Sequence, residues 1–65
     1  MNFLDLKQVM GKTRASRPYI YLLISRNAFP RPVKFGSRSA WIETEVEEWM
    51  RARVAERDAK GAQHA

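Results

Sequence analysis

The sequence predicts an α+β fold in which about three helices are combined with a two-stranded β-hairpin. In three segments, apolar residues recur at helical spacing, and each segment starts near a residue that commonly caps helices. Between the second and third segments, two short strand-like runs flank a Gly-Ser turn. The chain has 65 residues, which is enough for one small core, so we expect one folded domain.

The first helix is predicted over residues 6–12, with Asp5 as its N-cap. Leu6, Val9 and Met10 follow helical spacing, while Gly11 weakens the end of the helix. The preceding sequence "FLDL" is either an edge strand or a lead-in to this helix. The sequence "TRAS" that follows the helix is interpreted as a turn.

The second helix is predicted over residues 17–27, with Ser16 as its N-cap and Pro18 tolerated in the first turn. Its buried stripe comprises Ile20, Leu23 and Ile24. Its opposite side carries Arg17, Tyr21, Leu22 and Ser25. Pro30 prevents continuation of the helix. Two short helices joined by a four-residue turn outline a helix-turn-helix.

The hairpin is predicted from "RPVKFG" and "SRSAWI", which flank a turn at Gly36 and Ser37. Val33 and Phe35 share one face, which we expect to pack on the helices, while Lys34 points the other way. The prolines before and within the first strand confine it to an edge of the sheet.

The third helix is predicted to start at a capping box formed by Thr44 and Glu47, and to end near residue 58. Its apolar stripe comprises Val46, Trp49, Met50 and Val54. Trp41 and Trp49 are expected in the core because so small a domain has few other large residues. We expect a folded domain over residues 1–58 and a flexible tail over residues 59–65.

The residue types present favour no catalytic, metal or cofactor site. Cysteine is absent, and the single histidine, His64, has no partner ligand at useful spacing. The acids at the start of the third helix suit the helix dipole rather than catalysis. No run approaches the roughly 20 apolar residues that span a bilayer, so we expect a cytoplasmic protein without a membrane partner.

The charge distribution favours a polyanionic partner. The net charge is +5, but residues 1–42 carry eight cations and one acid, which gives +7, whereas residues 43–65 carry four cations and six acids, which gives −2. A uniformly basic chain would gain solubility in the same way, but it would not show this asymmetry.

The segment from Phe3 to about Met50 resembles the AlpA family of small phage and prophage regulators, which are relatives of MerR-like and excisionase winged-helix DNA binders. The most specific part is "FPRPVKFGSRSAWIETEVEEWM": an F-P-x-P-[VI]-K-x-G element, a tryptophan that closes the wing, and E-x-E-V-E-x-W. The turn from Thr13 to Ser16 and the Ile20-Tyr21 pair also match. Arg14 departs from the family, whose members usually have glycine there. If this position needs a positive φ, arginine costs about 1 kcal/mol.

The resemblance implies a winged helix-turn-helix and a sequence-specific, double-stranded DNA-binding transcriptional regulator of phage or prophage genes. The second helix would lie in the major groove, and the basic wing would lie on the backbone or in the minor groove. The candidate DNA-binding residues are Arg14, Arg17, Tyr21, Arg26, Arg31, Lys34 and Arg38.

Several side chains keep two interpretations. Tyr21 either bonds a phosphate or is half-buried packing. Tyr19 either packs beside the wing, which is favoured, or reaches DNA. Arg26 either reaches a phosphate or caps the helix dipole. Lys12 near the turn is a candidate clamp on the DNA backbone. Leu22 either touches a thymine methyl, faces a neighbouring protomer or lies in the core, and the core is favoured.

Two other functions remain open. An excisionase-type recombination directionality factor would share the fold and bend or coat DNA. A protein-interaction module or antirepressor would instead use the third helix, through Met50, Val54 and nearby arginines. The partners expected besides DNA are a second copy of the chain on DNA, an integrase, or another protein.

Overall fold

The computed structural model describes residues 1–64, and it describes side chains through residue 61. Three helices and three strands form an α+β fold, which confirms the predicted fold class of a small winged helix-turn-helix. In chain order the elements are β1 (Phe3–Leu4), α1 (Leu6–Thr13), α2 (Arg17–Ser25), β2 (Val33–Phe35), β3 (Arg38–Ile42) and α3 (Glu43–His64). The sequence "FLDL" therefore contributes a short strand.

The sheet is antiparallel, with strand order β1-β3-β2. β2 lies at an edge, as its prolines predict. Phe35 pairs with Arg38, which leaves a two-residue loop at Gly36 and Ser37. Gly36 has φ 63°, and Ser37 does not share the positive value, a combination typical of a type II′ hairpin turn. On the other side of β3, Leu4 pairs with Trp41.

The core lies between the sheet and the helices. Its buried residues are Leu4, Val9, Ile20, Phe29, Trp41 and Val46. Leu23 and Ile24 of α2 are partly buried against this cluster, which confirms the predicted stripe of α2. Trp49 and Met50 of α3 are also partly buried against it, but Val54 is 48% exposed, so the predicted extension of the α3 stripe to Val54 is wrong. Every element except β2 contributes to this apolar cluster. β2 is instead held mainly by its pairing with β3.

The first two helices begin at the predicted caps. Gln8 N donates to Asp5 Oδ1 at 2.8 Å, and Asp5 N donates to Gln8 Oε1 at 2.9 Å, which together form a capping box. Ser16 Oγ accepts from Tyr19 N at 3.3 Å. These bonds satisfy N–H groups that the helices leave unpaired, so each start is fixed by residues close in sequence.

The third helix differs from its prediction at both ends. It begins at Glu43, directly after β3, so Thr44 lies inside the first turn and is not the N-cap. The N–H of Glu43 donates instead to the carbonyl of Asn2 at 2.9 Å. The helix continues to His64, beyond the end expected near residue 58, because residues 51–64 contain no proline and four alanines, which offset the unfavourable Gly61. Flexibility of residues 59–65 stays a prediction, and the side chain of His64 lies outside the described residues.

Within residues 1–64, none of the helices combines the length and apolar character that crossing a membrane requires.

Candidate nucleic-acid interface

The register of the sheet assigns every hairpin side chain to a face. Side chains alternate along a strand, and paired residues point to the same side. Leu4 and Trp41 are buried, so their side is the inner face, which the helices cover. Ser39 shares that inner face with Trp41, and its partner Lys34 therefore does too. The outer face carries Phe3, Val33, Phe35 and Arg38.

The expectation that Val33 and Phe35 pack on the helices is therefore wrong. Both residues lie on the outer face, where Phe35 remains 53% exposed. The ring of Phe35 meets the ring of Phe3 edge to face, with centroids 5.3 Å apart. The cause is Trp41, because burying its large side chain fixes the orientation of β3 and of each strand paired to it.

Two cations flank the hairpin turn. Lys34 lies on the inner face, and its ammonium donates to Ser39 Oγ at 2.6 Å. Arg38 is exposed on the outer face, two residues after Gly36. The tip of the hairpin thus presents positive charge on both of its faces.

The side of α2 away from the core is polar and aromatic. Arg17 is exposed at the first position of the helix, and its guanidinium lies 5.9 Å from the ring centre of Tyr21. Leu22 is 41% exposed, so the favoured core interpretation of Leu22 is wrong. Each helical residue turns the chain by about 100°, which places Leu22 opposite the fully buried Ile20. Tyr19 is also half exposed.

The turn between α1 and α2 holds Arg14 in the left-handed conformation, with φ 60° and ψ 23°. Its N–H donates to the carbonyl of Met10 at 2.9 Å, which closes the end of α1. Position 14 therefore does require a positive φ, and the arginine is strained there by about 1 kcal/mol. Its side chain is exposed at the surface of the turn.

Two other predicted site residues lie at the end of α2. Arg26 is the C-cap, and its N–H donates to the carbonyls of Leu22 and Leu23. Arg31 donates from Nη2 to Asn27 Oδ1 at 2.7 Å. Arg31 also borders a hollow of about 520 Å³ that is shared with acidic side chains of α3. The acids of this hollow lower the positive potential around Arg31, but neither of them forms an ion pair with it.

Lys12, a candidate clamp on the DNA backbone, pairs with acids of the scaffold. Its ammonium lies 3.6 Å from Glu43 Oε2 and 3.5 Å from Glu47 Oε1, so it joins α1 to the start of α3. Glu47 also lies 3.8 Å from Arg51. The acids of α3 thus neutralise nearby cations of the scaffold.

The predicted DNA-contacting cations differ from these scaffold cations in their ion pairing. In the part of the chain whose side chains are described, ion pairs involve Lys12, Arg51, Arg53 and Arg57. None of these pairs involves a predicted contact, namely Arg14, Arg17, Arg26, Arg31, Lys34 or Arg38. These six side chains are exposed, on the turn, on α2, and on the loop and hairpin after it. The arrangement can bind anions without first breaking an internal ion pair.

A feature that the sequence did not predict joins α2 to the hairpin. Both tryptophans donate to carbonyls of the loop between α2 and β2. Trp41 Nε1 donates to Pro30 at 3.0 Å, and Trp49 Nε1 donates to Ala28 at 2.7 Å. The sequence indicated buried indoles, and a buried indole N–H usually finds an acceptor, but the acceptor itself depends on the fold.

Comparisons with known proteins place most of the chain in one family. The family model described as "Prophage CP4-57 regulatory protein (AlpA)" matches residues 2–54. A protein of Enterobacteria phage P4, named "Uncharacterized protein ORF88", is 41% identical over 56 residues. The match covers 85% of this chain and 64% of the phage P4 protein, so the chain spans less than two thirds of that relative. No solved structure matches the chain. The family match extends over most of the fold, and the chain belongs to the AlpA family of phage regulatory proteins.

Proposed function

We propose that this protein is a sequence-specific, double-stranded DNA-binding transcriptional regulator of phage or prophage genes. The observation that carries the proposal is the set of six exposed cations that no carboxylate of the described side chains neutralises. The salt bridges among the described side chains involve other cations, which lie on α1 and α3. A surface of this kind gains affinity for a duplex by releasing the counterions condensed on its phosphates. The regulator acts in the bacterial cytoplasm, and its proposed function involves no enzymatic step.

In the proposed complex, α2 enters the major groove with its N-terminal half leading. Arg17 is at the first helical position and has no carboxylate partner among the described side chains, so it suits a base edge or a phosphate. The Tyr21 ring lies 5.9 Å from the Arg17 guanidinium, and its hydroxyl can donate to a phosphate. Leu22, which is exposed, suits contact with a thymine methyl group.

The hairpin acts as the wing and binds the backbone or the minor groove. Lys34 and Arg38 point to opposite faces of a narrow two-stranded ribbon. A ribbon with this arrangement can reach phosphates on both of its sides when its tip approaches a groove. Each phosphate contact contributes about −0.9 to the slope of log affinity against log salt concentration.

The proposal is tested by measuring affinity for duplex DNA against salt concentration with charge-matched variants. Arg17→Gln and Arg57→Gln remove the same charge, but Arg57 lies on α3 and is bonded to Asp58 at 2.9 Å. We expect the Arg17 change to weaken binding and flatten the slope by about one unit, and the Arg57 change to leave both nearly unchanged. Equal effects of the two changes would show that net charge alone drives binding. Absence of any DNA binding by the unmodified protein would end the proposal.

The length of α3 favours a second, compatible function, which is contact with another protein. The molecule extends 49 Å in its longest dimension, and residues 51–61 of α3 are all exposed. Met50 and Val54 line a hollow of about 390 Å³ together with Lys12, Glu47 and Arg51. One winged domain covers only about 600–1,000 Å² of DNA interface, so assistance by a partner would strengthen binding. Sedimentation of the protein on DNA with one or two sites tests this: weaker assembly of Val54→Asp supports it, and unchanged assembly opposes it.

An excisionase-type factor would use the same DNA contacts, and it remains the alternative mode of action on DNA. Such a factor bends its target, whereas the proposed regulator does not need to. Gel mobility of complexes on permuted fragments separates the two functions.

A further inference from the structure

The loop that joins α2 to the wing, residues 26–32 (the connecting loop), is held by two indole groups from different elements. Trp41 of β3 donates to the carbonyl of Pro30 at 3.0 Å, and Trp49 of α3 donates to the carbonyl of Ala28 at 2.7 Å. Between these acceptors, Phe29 is 5% exposed and meets the Trp49 ring edge to face, with centroids 4.8 Å apart. The loop is therefore tied to the sheet at Pro30 and to α3 at Ala28, two residues apart.

Other features of the connecting loop remove its remaining freedom. The N–H of Ala28 donates to the carbonyl of Leu23 at 2.8 Å, which ties the loop to the last turn of α2. Pro30 and Pro32 have fixed φ and no N–H group. Asn27 adopts φ 57° and accepts a bond from Arg31. Such a loop is stiff compared with an ordinary surface connection of its length.

The position of the wing relative to α2 depends on shared packing against α1 and on the connecting loop. α2 packs mainly against α1, whereas β3 packs mainly against α1 and α3 as well as its neighbouring strands. β2, which carries Lys34, makes its main contacts with β3. The connecting loop is the direct link between the helix that carries Arg17 and the strand that carries Lys34.

We propose that Trp41 and Trp49 are positioning residues, whose indole N–H groups fix the wing relative to α2 so that both reach one duplex together. This inference rests on the proposed DNA-binding function. Neither indole needs to touch DNA. A wing held in place before binding loses less conformational entropy on docking, so its phosphate contacts contribute more to affinity.

Trp49 is the better test residue because it is only partly buried, whereas Trp41 is fully buried. A chain of 65 residues is within reach of chemical synthesis, which allows the Trp49 indole to be replaced by benzothiophene. This isostere keeps the ring size and its contact with Phe29 but removes the N–H donor. The matched background is the double variant Lys34→Gln/Arg38→Gln, in which the wing has lost its cations.

We expect the isostere to lower duplex affinity about tenfold. We also expect it to flatten the slope of log affinity against log salt concentration by up to about two units, because Lys34 and Arg38 would each lose a phosphate contact. In the wing-neutral background, the isostere should have almost no further effect, because the contacts that it positions are already gone. A residue with a merely structural role would lower affinity equally in both backgrounds. Melting curves establish that every protein compared is folded at the binding temperature.

Unchanged affinity and slope in the folded isostere would overturn the inference, as would equal losses in the two backgrounds. If the isostere is unfolded at the binding temperature, Trp49→Phe, measured in both backgrounds, replaces it with the same expected and contradicting outcomes. Failure of the unmodified protein to bind any duplex would instead refute the proposed function. The two failures are therefore distinguishable.

Discussion

Lys34 and Arg38 lie on opposite faces of the β-hairpin, on either side of its two-residue turn. The buried Trp41 imposes this arrangement, because it determines which face of β3 points to the core. Lys34 consequently projects from the inner face of the sheet, beyond the part that the helices cover, and Arg38 from the face that carries the exposed phenylalanines. The wing tip is thus positively charged on both sides.

The two wing cations should act additively and without sequence preference. We predict that Lys34→Gln and Arg38→Gln each flatten the salt slope by about 0.9, and that the double variant loses about twice that amount. Fluorescence anisotropy with specific and random duplexes over a range of salt concentrations measures both quantities. A loss confined to the specific duplex would mean that these side chains read bases instead of phosphates.

Arg14 should show a conflict between stability and binding. At φ 60°, glycine relieves strain, so Arg14→Gly should raise the free energy of unfolding by about 1 kcal/mol while lowering duplex affinity. Urea unfolding and DNA titration of the same preparation measure the two effects. Arg14→Lys is the control, because it keeps the charge and the strain. Wild-type affinity in Arg14→Gly would remove residue 14 from the interface.

Arg17 should contribute to specificity as well as affinity. If its guanidinium reads a base edge, Arg17→Ala should cost about 1–3 kcal/mol on the specific duplex and less on a random one. The comparison requires a target sequence, which selection from a random duplex library supplies. Equal losses on both duplexes would assign Arg17 to the phosphate backbone, and no loss would exclude it from the site.

The capping box of α1 should affect folding without affecting the DNA interface. Asp5→Ala removes the acceptor of the Gln8 N–H, and we predict a loss of about 1 kcal/mol in the free energy of unfolding. Affinity for DNA, measured where both proteins are folded, should stay at the wild-type value. A weakened affinity of the folded variant would indicate that the first helix contributes to binding.

The sequence was sufficient to predict the parts of the fold that depend on near neighbours. Asp5 and Ser16 cap helices through residues three positions away, and the stripe of α2 follows from helical spacing. The turn position of Gly36 follows from local backbone preference.

The sequence was insufficient where distant residues decide the outcome. The face of the hairpin that is buried depends on Trp41 and on pairing with β1, which is far away in the chain. Lys12 meets Glu43 and Glu47 only after the fold brings α1 and α3 together. The capping signal at Thr44 was overridden because β3 continues directly into α3.

The most direct test of the account is to map the surface of the protein that a duplex contacts. Backbone amide chemical shifts, recorded during titration of isotope-labelled protein with duplex DNA, report this residue by residue. We predict that the largest changes occur in residues 14–22 and 34–38, while residues 51–61 of α3 change little. Changes concentrated in residues 51–61, with α2 and the hairpin tip unaffected, would contradict the claim that unpaired cations of the turn, α2 and the wing bind the duplex.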